Sequence, residues 1–247
     1  MPSWNIHTAH VERLLSDCPA EKLGIADANA FLFGNYVPDI YVGFMVRDAS
    51  FRIDYCITHE AAVTHIPVSD ADRFWDLYIG KRKPATPIGT SLVLGAWAHL
   101  VADRIYNGRF REFCQTHETP EGEELRIRKQ ADFDLFGRSL GASSFVEVTP
   151  ELLDAAYAFK PYRIAADDVM RTAEVANAIV RAGGAISEQG DSYQLLGETW
   201  LSDAFEACNE RLSTWLFAWQ QLEAEGARCL AADVRAKAGL PPATPDA

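Results

Sequence analysis

Apolar residues recur along most of this chain at three- and four-residue intervals, the spacing of one helix face. Ile6, Val11, Leu14 and Leu15 predict a helix over 6–17. Asp27 leads into a short apolar helix, Ala-Asn-Ala-Phe-Leu-Phe, ending near Gly34, with Pro38 beyond it as a stop because proline cannot continue the ladder. Ser69 and Asp72 resemble a capping box before Phe74, Leu77 and Tyr78. Thr90 is placed to cap the run Ser91–Tyr106, which is apolar on every side and predicts a central buried helix. Thr149-Pro150-Glu151 combines a capping hydroxyl, a first-turn proline and an acid at the positive helix end. A helix over 166–182 stops at Gly183-Gly184, and 192–225 is one long amphipathic stretch. Alternation at Phe51, Ile53, Tyr55 and Ile57 reads as a strand, as does Ser144–Val148.

Two strands are too few for a sheet-based core, so the fold class is all-α. The expected organisation is one helical domain over 1–238, its chemistry in about residues 1–140. Loops are expected near 36–68 and 107–130, and a disordered proline-rich tail over 239–247. The 247 residues suffice for a core of ordinary size, and 48% hydrophobic with 23% charged residues excludes a disordered chain. The net charge of −12 gives no global field to draw the chain onto nucleic acid or anionic membrane, although a bound metal can reverse the sign locally. Charges or histidines interrupt every apolar stretch before the roughly 18 residues of a membrane span. Five scattered cysteines without a C-x-x-C argue against a disulfide framework and a cysteine-rich zinc module. With no targeting segment in view, a cytoplasmic protein is expected. Nothing in the sequence sets the oligomeric state.

Candidate chemistry concentrates early, since all six histidines precede residue 118. His99 and Asp103 stand at i,i+4 on the central helix, near enough to grip one ion. Composition alone produces about one such pairing by chance; what singles this one out is that His99 lies inside Leu-Gly-Ala-Trp-Ala-His-Leu-Val-Ala, where an ionisable group needs a partner or a ligand. His117 and Glu121 share the spacing, but Pro120 between them indicates a loop. Asp39 is a carboxylate at a helix exit, which a simple turn acid would also explain. His59 and His65 lie six residues apart, and spacing does not choose between them. His7 and His10 share the first helix, and either could face inward. Arg104, Arg109 and Arg111 follow Asp103, where one could meet an anionic substrate. No H-E-x-x-H, G-x-S-x-G, Walker A or His-Asp dipeptide is present.

Four motifs then occur in order: Met-Pro-Ser-x-x-x-His at the start, Phe-Leu-Phe-Gly-Asn-Tyr-Val-Pro-Asp-Ile at 31–40, Thr-His-Ile at 64–66 followed by Arg-Phe-Trp-Asp-Leu-Tyr at 73–78, and Leu-Gly-Ala-Trp-Ala-His-Leu-Val-Ala-Asp at 94–103. Over about residues 1–140 this resembles the bacterial zinc-dependent phospholipase C family, in particular its short, leaderless members. The resemblance implies an all-α fold akin to that of the single-strand-specific nucleases, and zinc-dependent phosphoester hydrolysis. It implies Asp39, His65, His99 and Asp103 as ligands, with His7 serving a neighbouring ion. His65 is favoured over His59 because it adjoins the helix that Ser69 is expected to cap.

Two departures accompany the resemblance. The secreted phospholipases begin with a mature tryptophan whose amino group is a ligand, whereas Trp4 is internal. They also carry further His and Glu residues after the central helix; here only His117 follows. One ion is therefore expected rather than three: Zn²⁺, with Mn²⁺, Fe²⁺ or Ni²⁺ also suited to two nitrogens and two carboxylates. The sequence thus predicts a hydrolase of a small phosphoester, with Asp39 and Asp103 catalytic and Arg104 on the substrate. The alternatives are a non-catalytic helical domain with a structural ion that binds a partner, and a metal-free bundle with structural histidines.

Overall fold

In a computed structural model of the chain, the structure describes residues 2–81, 83–183 and 192–243. Among these residues there are ten α-helices and no strand: α1 Trp4–Asp17, α2 Ala28–Gly34, α3 Tyr55–Thr58, α4 Ala71–Trp75, α5 Pro87–Thr116, α6 Gly122–Ser139, α7 Pro150–Tyr157, α8 Ala166–Gly183, α9 Glu198–Ala224 and α10 Ala231–Lys237. The all-α expectation is met. A 3₁₀ turn, Val37–Asp39, follows α2, and a π-helical turn, Asp76–Gly80, extends α4.

The 30-residue α5 is the axis of the fold. From Leu92 to Asp103 every residue is buried, so this helix touches neighbours on all sides. On one side it meets α2 at a glycine contact. A Cβ on Gly34 would lie 2.0 Å from the carbonyl oxygen of Leu92, and one on Gly95 would lie 2.1 Å from that of Phe31. Only residues without a Cβ let two backbones approach so closely. The approach brings the chain after α2, Asn35 to Asp39, against the middle of α5. On another side α5 packs on α4 and α9 through four tryptophans: the Trp75 ring stands edge-on to those of Trp97, Trp215 and Trp219, with centroids 5.0–5.5 Å apart. Edge-to-face contacts of this kind add to the area buried.

Several local expectations need correction. The central helix starts at Pro87, capped by Thr86, whose hydroxyl accepts from Gly89 N; Thr90 lies inside it. It runs on to Thr116 because Tyr106 and Phe110 continue the buried stripe, with the half-buried Arg109 between them. The loop expected over 107–130 is therefore the end of α5, a short link and the start of α6. The cap of α4 is Asp70, accepting from Arg73 N, whereas the Ser69 hydroxyl donates to Leu100 O on α5. Segment 51–57 is no strand: Phe51 and Ile57 are exposed, and Asp54 caps the short helix α3. Ser144–Val148 is likewise unpaired with any strand; Val146 exchanges two backbone hydrogen bonds with the Asn177 side chain instead. Of the Gly183-Gly184 stop, Gly183 ends α8 and Gly184 lies outside the described residues, as do 244–247 of the expected tail. No described helix is long and apolar enough to cross a membrane.

Candidate metal centre

Five ionisable side chains from four chain segments converge beside the middle of α5. His7 comes from the second turn of α1, Asp39 from the end of the 3₁₀ turn, His59 from the residue that closes α3, and His99 and Asp103 from α5. All five are at most 1% exposed. Their ligand-type atoms form two overlapping groups, His7–His99–Asp103 and Asp39–His59–His99, each within 4.8 Å. His59 Nε2 is 3.1 Å from His99 Nε2, 3.4 Å from Asp103 Oδ2 and 3.7 Å from Asp39 Oδ1. His99 Nε2 is 3.9 Å from Asp39 Oδ2 and from Asp103 Oδ2, and His7 Nε2 is 3.7 Å from Asp103 Oδ1.

The outer hydrogen bonds fix which atoms face inward. His99 Nδ1 lies 2.8 Å from the carbonyl oxygen of Asn35; His59 Nδ1 lies 3.1 Å from that of Tyr55 and 2.8 Å from Thr58 Oγ1, whose own proton goes to the same Tyr55 carbonyl and leaves the hydroxyl oxygen as an acceptor. A carbonyl only accepts, so in each neutral ring the proton sits on Nδ1 and Nε2 carries a lone pair. Two lone pairs then face each other at 3.1 Å, an arrangement that calls for a cation between them. A histidine held by a backbone carbonyl at its far nitrogen is also the usual posture of a metal ligand. Around these nitrogens, His7 has no hydrogen-bond partner on either ring nitrogen, and Asp39 Oδ1 and Asp103 Oδ1 have none. Buried polar atoms are normally paired, so four orphans in one cluster mark a site built for something that binds them. Trp4 Nε1 donates to Asp39 Oδ2 at 2.9 Å and Tyr55 OH to Asp103 Oδ2 at 2.7 Å.

Electrostatics agree with the geometry. Burial, with a smaller contribution from neighbouring imidazoles, lowers His7 and His59 to about 3, so both are neutral. Burial raises Asp39, which His99 partly offsets. Burial also works against the Asp103 charge, but His99, His7 and His59 outweigh it and hold this carboxyl below its ordinary value. With His7 and His59 neutral, the two carboxylates bring up to two negative charges to a cluster that holds no Lys or Arg. A divalent cation would neutralise that charge, and mixed nitrogen and oxygen donors suit the first-row transition ions and zinc.

Four of the residues expected at the site, His7, Asp39, His99 and Asp103, are brought together. His65 is not: it is exposed and outside both groups, and His59 stands in its place. The expectation for His65 leaned on a Ser69 cap that does not form. The anchored residue is His59, whose ring stacks on Tyr55 at 3.8 Å and whose carbonyl accepts from Asp70 N. The Arg104 guanidinium donates to Ser69 O at 3.0 Å. His117 is exposed at the end of α5 and stacks on Phe113. Trp4 and Tyr55 were not anticipated as part of the site. Tyr55 stands four residues before His59, a spacing that would have pointed to it had the segment been read as a helix. Comparison with known proteins finds no match: no family model, no curated protein and no solved structure matches the chain.

Proposed function

We propose that the chain is a metal-dependent hydrolase acting on a small soluble phosphoester, with Asp39, His59, His99 and Asp103 holding one divalent ion and His7 flanking it. The observation that carries this reading is the facing pair of Nε2 lone pairs with two free carboxylate oxygens beside them. The ordered motifs over about residues 1–140, which resemble the zinc-dependent phospholipase C family, support it, with His59 where the resemblance implies His65. A divalent ion bound there would lower the pKa of a water toward ~7 and polarise a phosphoryl oxygen. The chain's own part is to hold the ion and orient that water, with the unpaired Oδ1 atoms of Asp39 and Asp103 turned into the cluster. A cavity of about 60 Å³ lies against the site's neighbours Pro38, Thr58 and Glu60, walled by Phe74, Tyr78 and Tyr162.

Complete burial of all five groups favours a second reading, a structural ion that stabilises the folded state without catalysis. One experiment separates the two. Metal-loaded wild type and Asp39→Asn are compared on a soluble phosphodiester, a phosphomonoester and phosphatidylcholine vesicles. The hydrolase reading expects turnover of a soluble ester that falls by orders of magnitude in the variant, since each lost charge clamp is worth several kcal/mol in the transition state. Equal rates overturn it. Tight stoichiometric metal without turnover leaves the structural ion, and fast vesicle hydrolysis overturns the substrate class.

A further inference from the structure

The two aspartates of the centre share a feature that ligation alone does not require. Each has one oxygen engaged by a neutral donor and one with no partner. Trp4 Nε1 holds Asp39 Oδ2 at 2.9 Å and leaves Oδ1, the oxygen 3.7 Å from His59 Nε2. Tyr55 OH holds Asp103 Oδ2, the oxygen 3.4 Å from His59 Nε2, at 2.7 Å and leaves Oδ1, 3.7 Å from His7 Nε2. Both donors are themselves immobilised. The Trp4 ring is buried and packs on Tyr36 with centroids 4.6 Å apart. The Tyr55 ring stacks on His59, and its hydroxyl receives a long hydrogen bond, 3.4 Å, from Asn107 Nδ2, which is tied to Pro67 O at 2.9 Å.

We propose that Trp4 and Tyr55 are positioning residues of the metal centre, each locking the rotation of one aspartate so that its oxygens meet the imidazole nitrogens in one fixed direction. An indole N–H and a phenol O–H are suited to this task. Each can donate one hydrogen bond, and neither brings a positive charge that would compete with the cation. A carboxylate held in this way is fixed in direction. With imidazole nitrogens beside it, the site then suits zinc-like ions and disfavours Ca²⁺, which takes six to eight oxygens and often both from one carboxylate. Tyr55 has a second hold on the site, because its backbone carbonyl accepts from Thr58 Oγ1 and from His59 Nδ1 and so helps set the tautomer of that ring. One residue thus sets the direction of a nitrogen ligand and of an oxygen ligand.

The inference rests on the metal reading above, and the test keeps their failures apart. Co²⁺ is titrated into metal-free wild type, Trp4→Phe, Tyr55→Phe and, as a control, Tyr36→Phe, following the visible absorption of the bound ion. Tyr36 is also buried; its hydroxyl pairs with Thr8 Oγ1 at 2.6 Å, and it touches neither carboxylate oxygen. Outer partners of ligands are worth about 10–100-fold in affinity. Trp4→Phe and Tyr55→Phe should therefore each bind Co²⁺ about 10–100-fold more weakly, still at one ion per chain, with a changed absorption band and a smaller preference for Co²⁺ over Ca²⁺. Tyr36→Phe should keep the wild-type spectrum and affinity. Phenylalanine at 55 preserves the stack on His59, so that variant remains the test should Trp4→Phe not fold. Wild-type affinity and spectrum in both variants would overturn the positioning role while leaving the ion in place. Failure of wild type to take up Co²⁺, Zn²⁺ or Mn²⁺ would overturn the metal reading and this inference with it.

Discussion

Among the described residues four aspartates are almost fully buried, and they divide into two kinds. Asp132 on α6 accepts three backbone N–H bonds, from Gln194, Leu195 and Leu196, at 2.6–2.8 Å. Asp168 on α8 accepts from Tyr41 OH, from the backbone N and Oγ of Ser50, and from Arg171. Asp39 and Asp103 accept one short hydrogen bond each and keep an oxygen free. The difference separates two uses of a buried carboxylate. Saturated by donors, it is a clamp: Asp132 fastens the chain entering α9 to α6, and Asp168 fastens the segment after α2 to α8. Left half-satisfied among unprotonated imidazole nitrogens, it is a ligand in waiting, costly to the fold until a cation arrives.

The largest effect should come from supplying that cation. Stabilisation by a ligand at 1,000 times its Kd is about 4.1 kcal/mol. At ~2–4 °C per kcal/mol for a chain of this size, excess Zn²⁺ or Mn²⁺ should raise the Tm of chelator-stripped protein by about 8–16 °C. His59→Ala should abolish the rise, and His65→Ala should keep it in full. Calorimetry with and without metal reads both. A rise that survives His59→Ala would move the ion away from the geometry described here.

That pair of variants also marks how far the sequence could be read. The helices with strong caps, α7 with Thr149 and α2 with Asp27, were legible because cap, proline and apolar stripe agree locally. The i,i+4 pair His99 and Asp103 was legible for the same reason: one helix fixes both. His59 was not, because its direction depends on the ring of Tyr55, the Asp70 amide and a four-residue helix that lies in a segment whose alternating residues read as a strand. Ser69 misled in the opposite sense. Its hydroxyl looked like a local cap but is used at long range, on Leu100 O. The donors Trp4 and Tyr55 lie 35 and 48 residues from the carboxylates they hold, beyond any local pattern.

The second prediction inverts the sign between the two kinds of aspartate. Asp132→Ala strips the acceptor from three backbone N–H groups and should cost about 3 kcal/mol, since each buried donor left unpaired costs ~1–3 kcal/mol and water recovers part of it. The loss should be the same with and without metal. Asp39→Asn should cost little or even stabilise the metal-free protein, because burial already disfavours the Asp39 charge. With metal present the same variant should be clearly less stable than wild type. Urea unfolding of both variants in chelator and in Zn²⁺ gives the four values. A large loss for Asp39→Asn in chelator would place Asp39 with the clamps.

The smallest effect concerns acid, and it sorts the two regions by pH window. His10 lies one turn beyond His7 on α1, fully buried, its Nδ1 2.9 Å from Asn209 Oδ1 and its ring stacked on Phe205. Burial, only partly offset by the Asn209 bond, lowers it from 6.5 to about 4. The unfolded chain therefore binds a proton between pH 6.5 and about 4 that the folded chain refuses, so stability is full above 6.5 and falls as the pH drops through this window. For Asp168 burial acts to raise the pKa, but Ser50, Tyr41 and Arg171 together hold it below the ordinary value. Its contribution is present above the unfolded value of 3.8 and is lost only as the pH falls through the lower folded value. Acid should thus loosen the histidine-rich α1 side first and the Asp168 clamp last. One proton difference is worth about 1.4 kcal/mol per pH unit, so metal-free wild type should lose about 1.4 kcal/mol through His10 between neutral pH and pH 5.5. His10→Gln, which cannot take up that proton, should start from a lower stability but show a flatter profile over that interval. Equal slopes in the two proteins would mean that His10 is protonated in the folded state and that its burial does not set its charge.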